Sequence, residues 1–424
     1  QNTSVGYRSM EAYTTANKNV AVGGSALQLN TTGNQNVSIG FRVSQYNTVG
    51  SNQVVIGNEA GRYATGSSNT FVGANAGKGG TTSAPYSSGT NNVAVGTSAL
   101  TAFKVSTDNV AIGKGSLDAL AGEGTANRTD RNIAIGSDAL GALNSTHADG
   151  YSNDNIAIGF QAGLAGSRSN AIPFAGNIAI GSYALDATAA NDHNGTIAIG
   201  YNALTELTSG TGNLAIGHEA MATHTTGLKN IAIGAYAMND TDQSAATLGS
   251  TENIFMGYDA GGGTWTTAAC SYNVGIGNNV MDAAMNGALN NTAVGHNSLS
   301  ALTTGDYNTA IGSTSGQSLT TGLYNTLLGR HTGAAKTGTN YDTLVGHGAG
   351  SALNGGDGAN TWIGADAGAL QNSAASSVFI GLQSGYGTAG TNNAYRNVGV
   401  GNHSLQKVNT GDNNVAMGWK AGEN

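Results

Sequence analysis

Reactive side chains are scarce in this sequence, and their placement says more than their number. Eight histidines are spread over 424 residues. Five of them, His218, His296, His331, His347 and His403, share one local context, one or two residues after a glycine. Imidazoles repeated at a fixed point could stack into a metal-binding ladder, most directly at His331 and His347. A zinc site needs several ligands converging at tetrahedral spacing, and none of the five has a second His or a carboxylate at ligand spacing. Cys270 is the only cysteine. It has no partner arrangement that would make it a nucleophile, and alone it supports neither a disulfide framework nor a Cys-based zinc site. Glu206 and Glu219 fall in different repeats and form no acid/base pair. The sequence therefore predicts no catalytic, cofactor-binding or metal-binding residue, and no enzyme.

What places these side chains is a repeat. The pentapeptide Asn-aliphatic-small-aliphatic-Gly, as in Asn213–Gly217, occurs 23 times, starting at Asn2 and ending with the copy at Asn414. Of the 22 spacings between copies, 11 equal 17, one is 16, and the others run up to 23. Seventeen is thus the basic unit, and the excess is loop insertion. Taking the Asn as position 1, position 5 is glycine in all 23 copies and position 1 is Asn in 19. An invariant glycine marks positive φ or close backbone approach. Asparagine tolerates left-handed geometry and makes turn hydrogen bonds, and amides stacked at one corner would form a ladder. Positions 2–4 read as a short strand of β-branched residues. Thr-Thr-Gly at 31–33, 225–227, 303–305 and 320–322 supplies a second turn signal. Strand, turn, short strand and turn within one such unit describe one coil of a parallel β-solenoid, or β-roll, of about 23 coils. Helical solenoid units need about 33 residues or more. The register never lapses, so residues 1–424 read as one continuous array, a segment of a longer fibre protein.

A volume trade locates the interior. Position 3 is usually Ala, Ser or Gly, but seven copies carry Val55, Phe71, Phe255, Leu327, Leu344, Trp362 or Phe379. In all seven, position 9 is glycine: Gly61, Gly77, Gly261, Gly333, Gly350, Gly368 and Gly385. The 12 copies with Leu or Met at position 9 keep position 3 small, as Ala215 does with Met221. Close packing enforces such compensation, so positions 3 and 9 are predicted to face each other inside a coil. Strand alternation then turns positions 2 and 4 outward, including Val20, Val22, Ile133, Ile135, Leu214, Ile216, Ile231 and Ile233. A strand apolar on both faces must be covered on both. The expected cover is the same chain, giving a homo-oligomer along the full length. One coil buries three or four apolar side chains, roughly 5–12 kcal/mol, against about 17–34 kcal/mol to order its backbone. No coil folds alone.

Composition narrows the function classes. Charged residues are 9% of the chain, where about 25% is usual, and the net charge is −8 with 16 Lys and Arg scattered without a run. Nucleic-acid or anionic-membrane binding needs a basic stripe, so neither is expected. No apolar run reaches the ~18–20 residues of a membrane helix, so this segment is not expected to insert into a membrane, and no signal peptide opens the chain. Individuality lies in insertions after position 8: residues 77–91 (GKGGTTSAPYSSGTN), 122–131, 144–154, 164–176, 239–252, 261–272 and 385–396. Several carry an aromatic residue: Tyr86, Tyr151, Phe174, Trp265, Tyr386 and Tyr395. Loops on rigid scaffolds carry binding, so these six are candidate contacts to a surface glycan or protein. The alternative is that each packs its own loop.

The pentapeptide resembles the head repeats of trimeric autotransporter adhesins of the YadA-like kind, whose element reads close to S-V-A-I-G. The copies NVAVG at Asn19, NVAIG at Asn109 and NIAIG at Asn132, Asn155, Asn177 and Asn230 carry the likeness. NTAVG at Asn291 and NTAIG at Asn308 are similar to repeat arrays of phage tail fibres. The resemblance implies a left-handed parallel β-roll, three chains about a common axis, an extracellular place on a cell surface or virion, and a shaft or head that spaces and adheres. Two departures stand out: the adhesin repeats are shorter than the unit found here, and no coiled-coil stalk or anchor barrel is present in this sequence. Two other roles fit a solenoid: a self-assembling extracellular filament subunit, since open strand edges favour end-to-end stacking, and an ice-binding face, for which the Thr residues are too irregular. Gly355-Gly356-Asp357-Gly358 is similar to calcium-binding nonapeptide turns, but it occurs once where such sites need many, and it reads as a loop.

Overall fold

The computed structural model describes residues 1–120, 129–143, 152–164, 174–187, 193–241, 249–265, 268–388 and 394–423. Every copy of the pentapeptide forms a three-residue strand at positions 2–4, from Thr3–Val5 to Val415–Met417. The chain forms two compact units, Gln1–Asn213 and Leu214–Asn424. In the first, eleven strands end with Ile197–Ile199; in the second, twelve pentapeptide strands begin with Leu214–Ile216. Within each unit successive strands pair in parallel with identical positions opposed, as in Val110↔Ile133 and Ala111↔Ala134, or Thr309↔Thr326 and Ala310↔Leu327. The fold is thus an all-β parallel β-solenoid built on the repeat that the pentapeptide spacing defines, and no α-helix occurs among the described residues. One segment departs from expectation. Gly355–Gly358 is a strand rather than a loop, paired in parallel with Ser373–Ala375 of the next coil. Gly358, at φ +78, lies against the backbone of Asn340, where a side chain would not fit.

The invariant glycine at position 5 has a backbone reason. Its φ lies between 122 and 145° in all copies, a region that L-residues avoid. The glycines also stack: a Cβ added to Gly96 would lie 2.6 Å from the carbonyl oxygen of Gly113, the equivalent residue one coil on. Neither coil can yield without breaking the ladder.

The interior contains positions 3 and 9, as the volume trade requires, and two further positions. Position 3 is fully buried from Ala21 and Phe71 to Trp362 and Phe379. A Cβ on Gly77 would approach Phe71 Cδ1 to 2.5 Å, and one on Gly261 would approach Phe255 Cδ1 to 2.8 Å. The compensation also crosses coils. Phe255 pairs with Gly275 and Phe379 with Gly399 on the following strand, whereas Trp362 pairs with Phe379 itself, so a large ring empties the neighbouring position 3 at some coils and not at others. Position 8, mostly alanine, is buried throughout the interior coils, and so is position 12 at Phe103, Leu120, Leu143, Leu302 and Leu353.

Position 9 carries a second constraint that its residue types conceal. Its φ lies between 45 and 66° in every copy, whether the residue is Gly, Leu, Met or Ser. Left-handed backbone costs an L-residue roughly 1–2 kcal/mol. Burying the Leu or Met side chain returns about 1.5–3 kcal/mol, so burial outweighs the strain. Glycine is preferred at position 9 wherever position 3 already fills the space.

The position-1 amides do form a ladder. The backbone N–H of Asn132 donates to Oδ1 of Asn109 at 3.0 Å, and that of Asn155 to Oδ1 of Asn132 at 3.1 Å. Nδ2 of Asn132 also donates to Asn109 Oδ1 at 3.2 Å and, across its own coil, to the Ser152 carbonyl at 2.9 Å. These side chains are buried, so each amide satisfies main-chain groups that would otherwise be orphaned.

Candidate functional site

The candidate residues fall into an outward ridge, a set of loop aromatics and a row of turn histidines. Val20, Val22, Ile133, Ile135, Leu214, Ile216, Ile231 and Ile233 are all half-buried and flank a buried position 3. They point away from the coil interior. Elsewhere the same ridge is more open: Ile112 and Ile158 in the first unit are 37% exposed, and Leu328 in the second is 44%. In each unit consecutive coils present two outward side chains apiece on one face. Position 4 is always apolar, and position 2 is aliphatic except at threonines. In the second unit these fill five successive coils, at Thr292, Thr309, Thr326, Thr343 and Thr361.

The loop aromatics separate sharply. Phe174 and Trp265 are buried. Trp265 packs edge-on to Phe255 at 6.0 Å between ring centroids, and Phe174 edge-on to His193 at 6.4 Å. These two insertions fold their rings back into the solenoid, so neither residue is offered to a partner. Tyr386 and Tyr395 are half-buried, and the Tyr395 hydroxyl pairs with Ser373 Oγ at 3.3 Å. Tyr151 lies outside the described residues, as do the central parts of the insertions at 122–131, 144–154, 164–176, 239–252 and 385–396, together with residues 266–267.

Tyr86 is the candidate with a built environment. The insertion at 77–91 returns to the solenoid through a parallel bridge between Ser87 and Ala64. Tyr86 then meets Tyr46 and Tyr63 at centroid distances of 5.0 and 6.1 Å, and those two stack on each other at 5.1 Å. The Arg62 guanidinium lies 4.9 Å from the Tyr63 ring centre. Arg62, Lys78 and Arg42 all pair with one carboxylate, Glu59, at 2.8, 2.8 and 3.5 Å. Lys78's hydrogen bond, more than Arg62's charge, holds Glu59 below the ordinary carboxylate range against its partial burial. Tyr86 also lines a hollow of 330 Å³, together with Thr81 and Lys104. The repeat pattern gave no sign of this cluster except that Tyr46 and Tyr63 both occupy position 11.

The histidines stay at the turns. His331 contacts Thr314 at 3.3 Å, and Nε2 of His347 contacts Arg330 at 3.2 Å. Among the described residues no three His, Cys, Asp or Glu side chains gather as metal ligands. Cys270 is buried, with its thiol 3.7 Å from the Ala268 carbonyl. Asp240 and Asp259 line a second, polar hollow with Tyr236 and Tyr258. Burial first, and the Asp240 charge second, push the Asp259 carboxyl up. Turn threonines are engaged: the hydroxyls of Thr303 and Thr320 donate to the Thr320 and Thr337 carbonyls, both at 3.0 Å.

One ion pair lies inside the second unit. Lys336, at position 12, and Asp342, at position 1 of the next coil, are both fully buried and bonded to each other. The Thr339 hydroxyl donates to Asp342 Oδ2 at 2.9 Å. Asp342 Oδ1 keeps the ladder role, accepting from N and Nδ2 of Asn360, both at 2.9 Å. A carboxylate has no N–H to give, and Lys336 instead donates to the extra oxygen, Oδ2, that stands where an asparagine would have Nδ2.

These features define the class: a parallel β-solenoid whose polar side chains serve mostly its own ladders, with a long apolar ridge outside. Compared with family models and with curated proteins, the chain matches none.

Proposed function

We propose that this chain is a non-catalytic structural segment of an extracellular fibre: a left-handed, homotrimeric β-roll that spaces and stiffens, as an adhesin head or shaft or a tail-fibre shaft, and touches surfaces through its lateral loops. The outward ridge at positions 2 and 4 carries the reading. Monomers rarely leave contiguous apolar patches beyond a few hundred Å², and here every coil adds an apolar side chain at position 4 to one face, and most add a second at position 2. The cover is another copy of the chain. A ridge with the ~4.8 Å rung period of a β-ladder meshes along its length only with a surface of the same period. Three copies rather than two, and the left hand, follow from the resemblance of the NIAIG copies to adhesin head repeats.

Light scattering on the purified chain tests this. The expected mass is three times the 42.2 kDa of one chain. Ile135→Lys with Ile233→Lys places charge on the ridge and should dissociate the assembly while leaving the far-ultraviolet spectrum of β-structure in place. A monomeric wild-type chain would sink the proposal.

A further inference from the structure

We propose that the hollow beside Tyr86 is a binding site for a single acidic sugar ring, a pyranose carrying a carboxylate. The proposal names the ligand class of one lateral loop and so rests on the reading of the chain as a surface-contacting scaffold. Four observations carry it. At 330 Å³ the hollow sits at the lower end of ligand-pocket sizes of about 300–1,000 Å³, room for one sugar ring rather than an extended chain. Its apolar part comes from Tyr86, Pro85, Ala84 and Val105, and Tyr46 and Tyr63 hold the Tyr86 ring in place. Such a fixed flat surface suits the C–H face of a pyranose. Its polar part is hydroxyl-rich, from Thr81, Ser83 and Ser88. Of these, Thr81 keeps its Oγ1 out of contact with the hollow's solvent, so Ser83 and Ser88 are the hydroxyls offered to a ligand. Finally, Lys104 lines the hollow, and no carboxylate among the described residues forms an ion pair with it. Lys78 shares a coil with the hollow, and with Arg62 and Arg42 on the two coils before it makes three cations around one anion, Glu59, or +2. In a chain of net charge −8 this is a local positive field, and it selects an anionic ligand. One ammonium among hydroxyls and a ring matches a monocarboxylate sugar. Among the described residues no arginine lines the hollow, so it offers no bidentate fork for a phosphate.

The test is isothermal titration of the full chain with methyl glucuronide, methyl glucoside and sodium acetate in turn. Methyl glucuronide should bind, the uncharged glucoside at least about tenfold more weakly, and acetate not measurably at the same concentrations. Lys104→Gln should bring the glucuronide down to the glucoside level, and Tyr86→Ala should abolish both, each with an unchanged far-ultraviolet spectrum. Absence of glucuronide binding, equal binding of the glucoside or acetate, or full binding by Lys104→Gln overturns the proposal. Light scattering on the same samples keeps the oligomer reading separate: a trimer without sugar binding refutes only the sugar site.

Discussion

Replacing Lys336 by leucine and Asp342 by asparagine in the same chain should leave the surrounding coils at least as stable as before, although either change alone should be costly. The neighbouring coils already hold this combination, Leu319 with Asn325 and Leu353 with Asn360. Asp342→Asn alone leaves a fully buried ammonium facing the Thr339 hydroxyl. Removing one member of a buried ion pair costs about 3–5 kcal/mol. The ammonium can cap that cost by losing its proton. From an ordinary lysine value near 10.4 down to pH 7, at 1.36 kcal/mol per unit, the cap is about 4.6 kcal/mol, and the two routes agree. Lys336→Leu alone strands the Asp342 oxygen Oδ2 with one hydroxyl donor, about 3 kcal/mol or more. The double change removes both charges, fills position 12 with an apolar side chain and restores an amide at position 1. Such replacements are neutral or stabilising by about 1–4 kcal/mol.

A repeat array opens locally rather than as one two-state unit, so the assay is hydrogen exchange by mass spectrometry on peptides spanning residues 326–345. A loss of about 3 kcal/mol appears as a more than hundredfold drop in protection. The pH dependence has a definite sign. Burial, opposed by the Asp342 charge, sets Lys336 below the ordinary lysine value. Between that lowered value and about 10.4 the unfolded chain binds more protons than the folded one, so these coils gain stability as pH rises through the window. Below the window the cost of burying the charge is present in full, and the double variant lacks the slope. If the two single costs add in the double variant, or if the double variant exchanges as fast as the worse single, the substitution logic is wrong.

The volume trade has its own cycle. Ala232→Phe alone overfills position 3 against Met238 and should cost about 1–3 kcal/mol; adding Met238→Gly, which also suits the φ of +50 there, should recover at least half of it by the same exchange measurement. Asn308→Ala removes the acceptor for N and Nδ2 of Asn325 and the donor to the Gly322 carbonyl. It should cost about 2–4 kcal/mol, read as lost protection at Asn325, and Asn308→Asp should cost less at that amide because Oδ1 remains.

What was legible in the sequence is what the register forces on residue identity. The position-5 glycines, the Asn ladder and the exchange between positions 3 and 9 all follow from one coil lying on the next, and each leaves a residue type at a fixed place. Position 9 shows where legibility stops. Its left-handed backbone is invariant, but Leu and Met tolerate it when buried, so the sequence displays a volume rule and hides the conformational one. Positions 8 and 12 were missed for a related reason: alanine and serine at 8 read as bland, and position 12 alternates Leu with Asn30, His224 and Lys336, each satisfied by a different local partner. The Lys336–Asp342 pair did leave a signal, a single aspartate among 23 position-1 residues with a lysine six residues before it. The insertions have no register at all. Nothing in their composition distinguishes Trp265, which turns inward onto Phe255, from Tyr86, which lies on Tyr46 and Tyr63 and lines a hollow.

That absence of register bears on the proposed assembly. A ridge that repeats every rung pairs with a copy displaced by one coil almost as well as with an aligned one, because the shift merely exchanges one aliphatic contact for another. Register is weakly specified wherever a surface is periodic. Uneven coils remove the degeneracy. Asn132 and Asn155 each lie 23 positions after the preceding copy and Asn177 lies 22, against 17 for Asn19, Asn36 and Gln53. Bulky insertions therefore fall at particular rungs. A slipped copy would bring the insertion at 77–91 against a plain coil of the basic length. The aligned arrangement is the one that keeps like coils together, so in the proposed assembly the insertions would specify register.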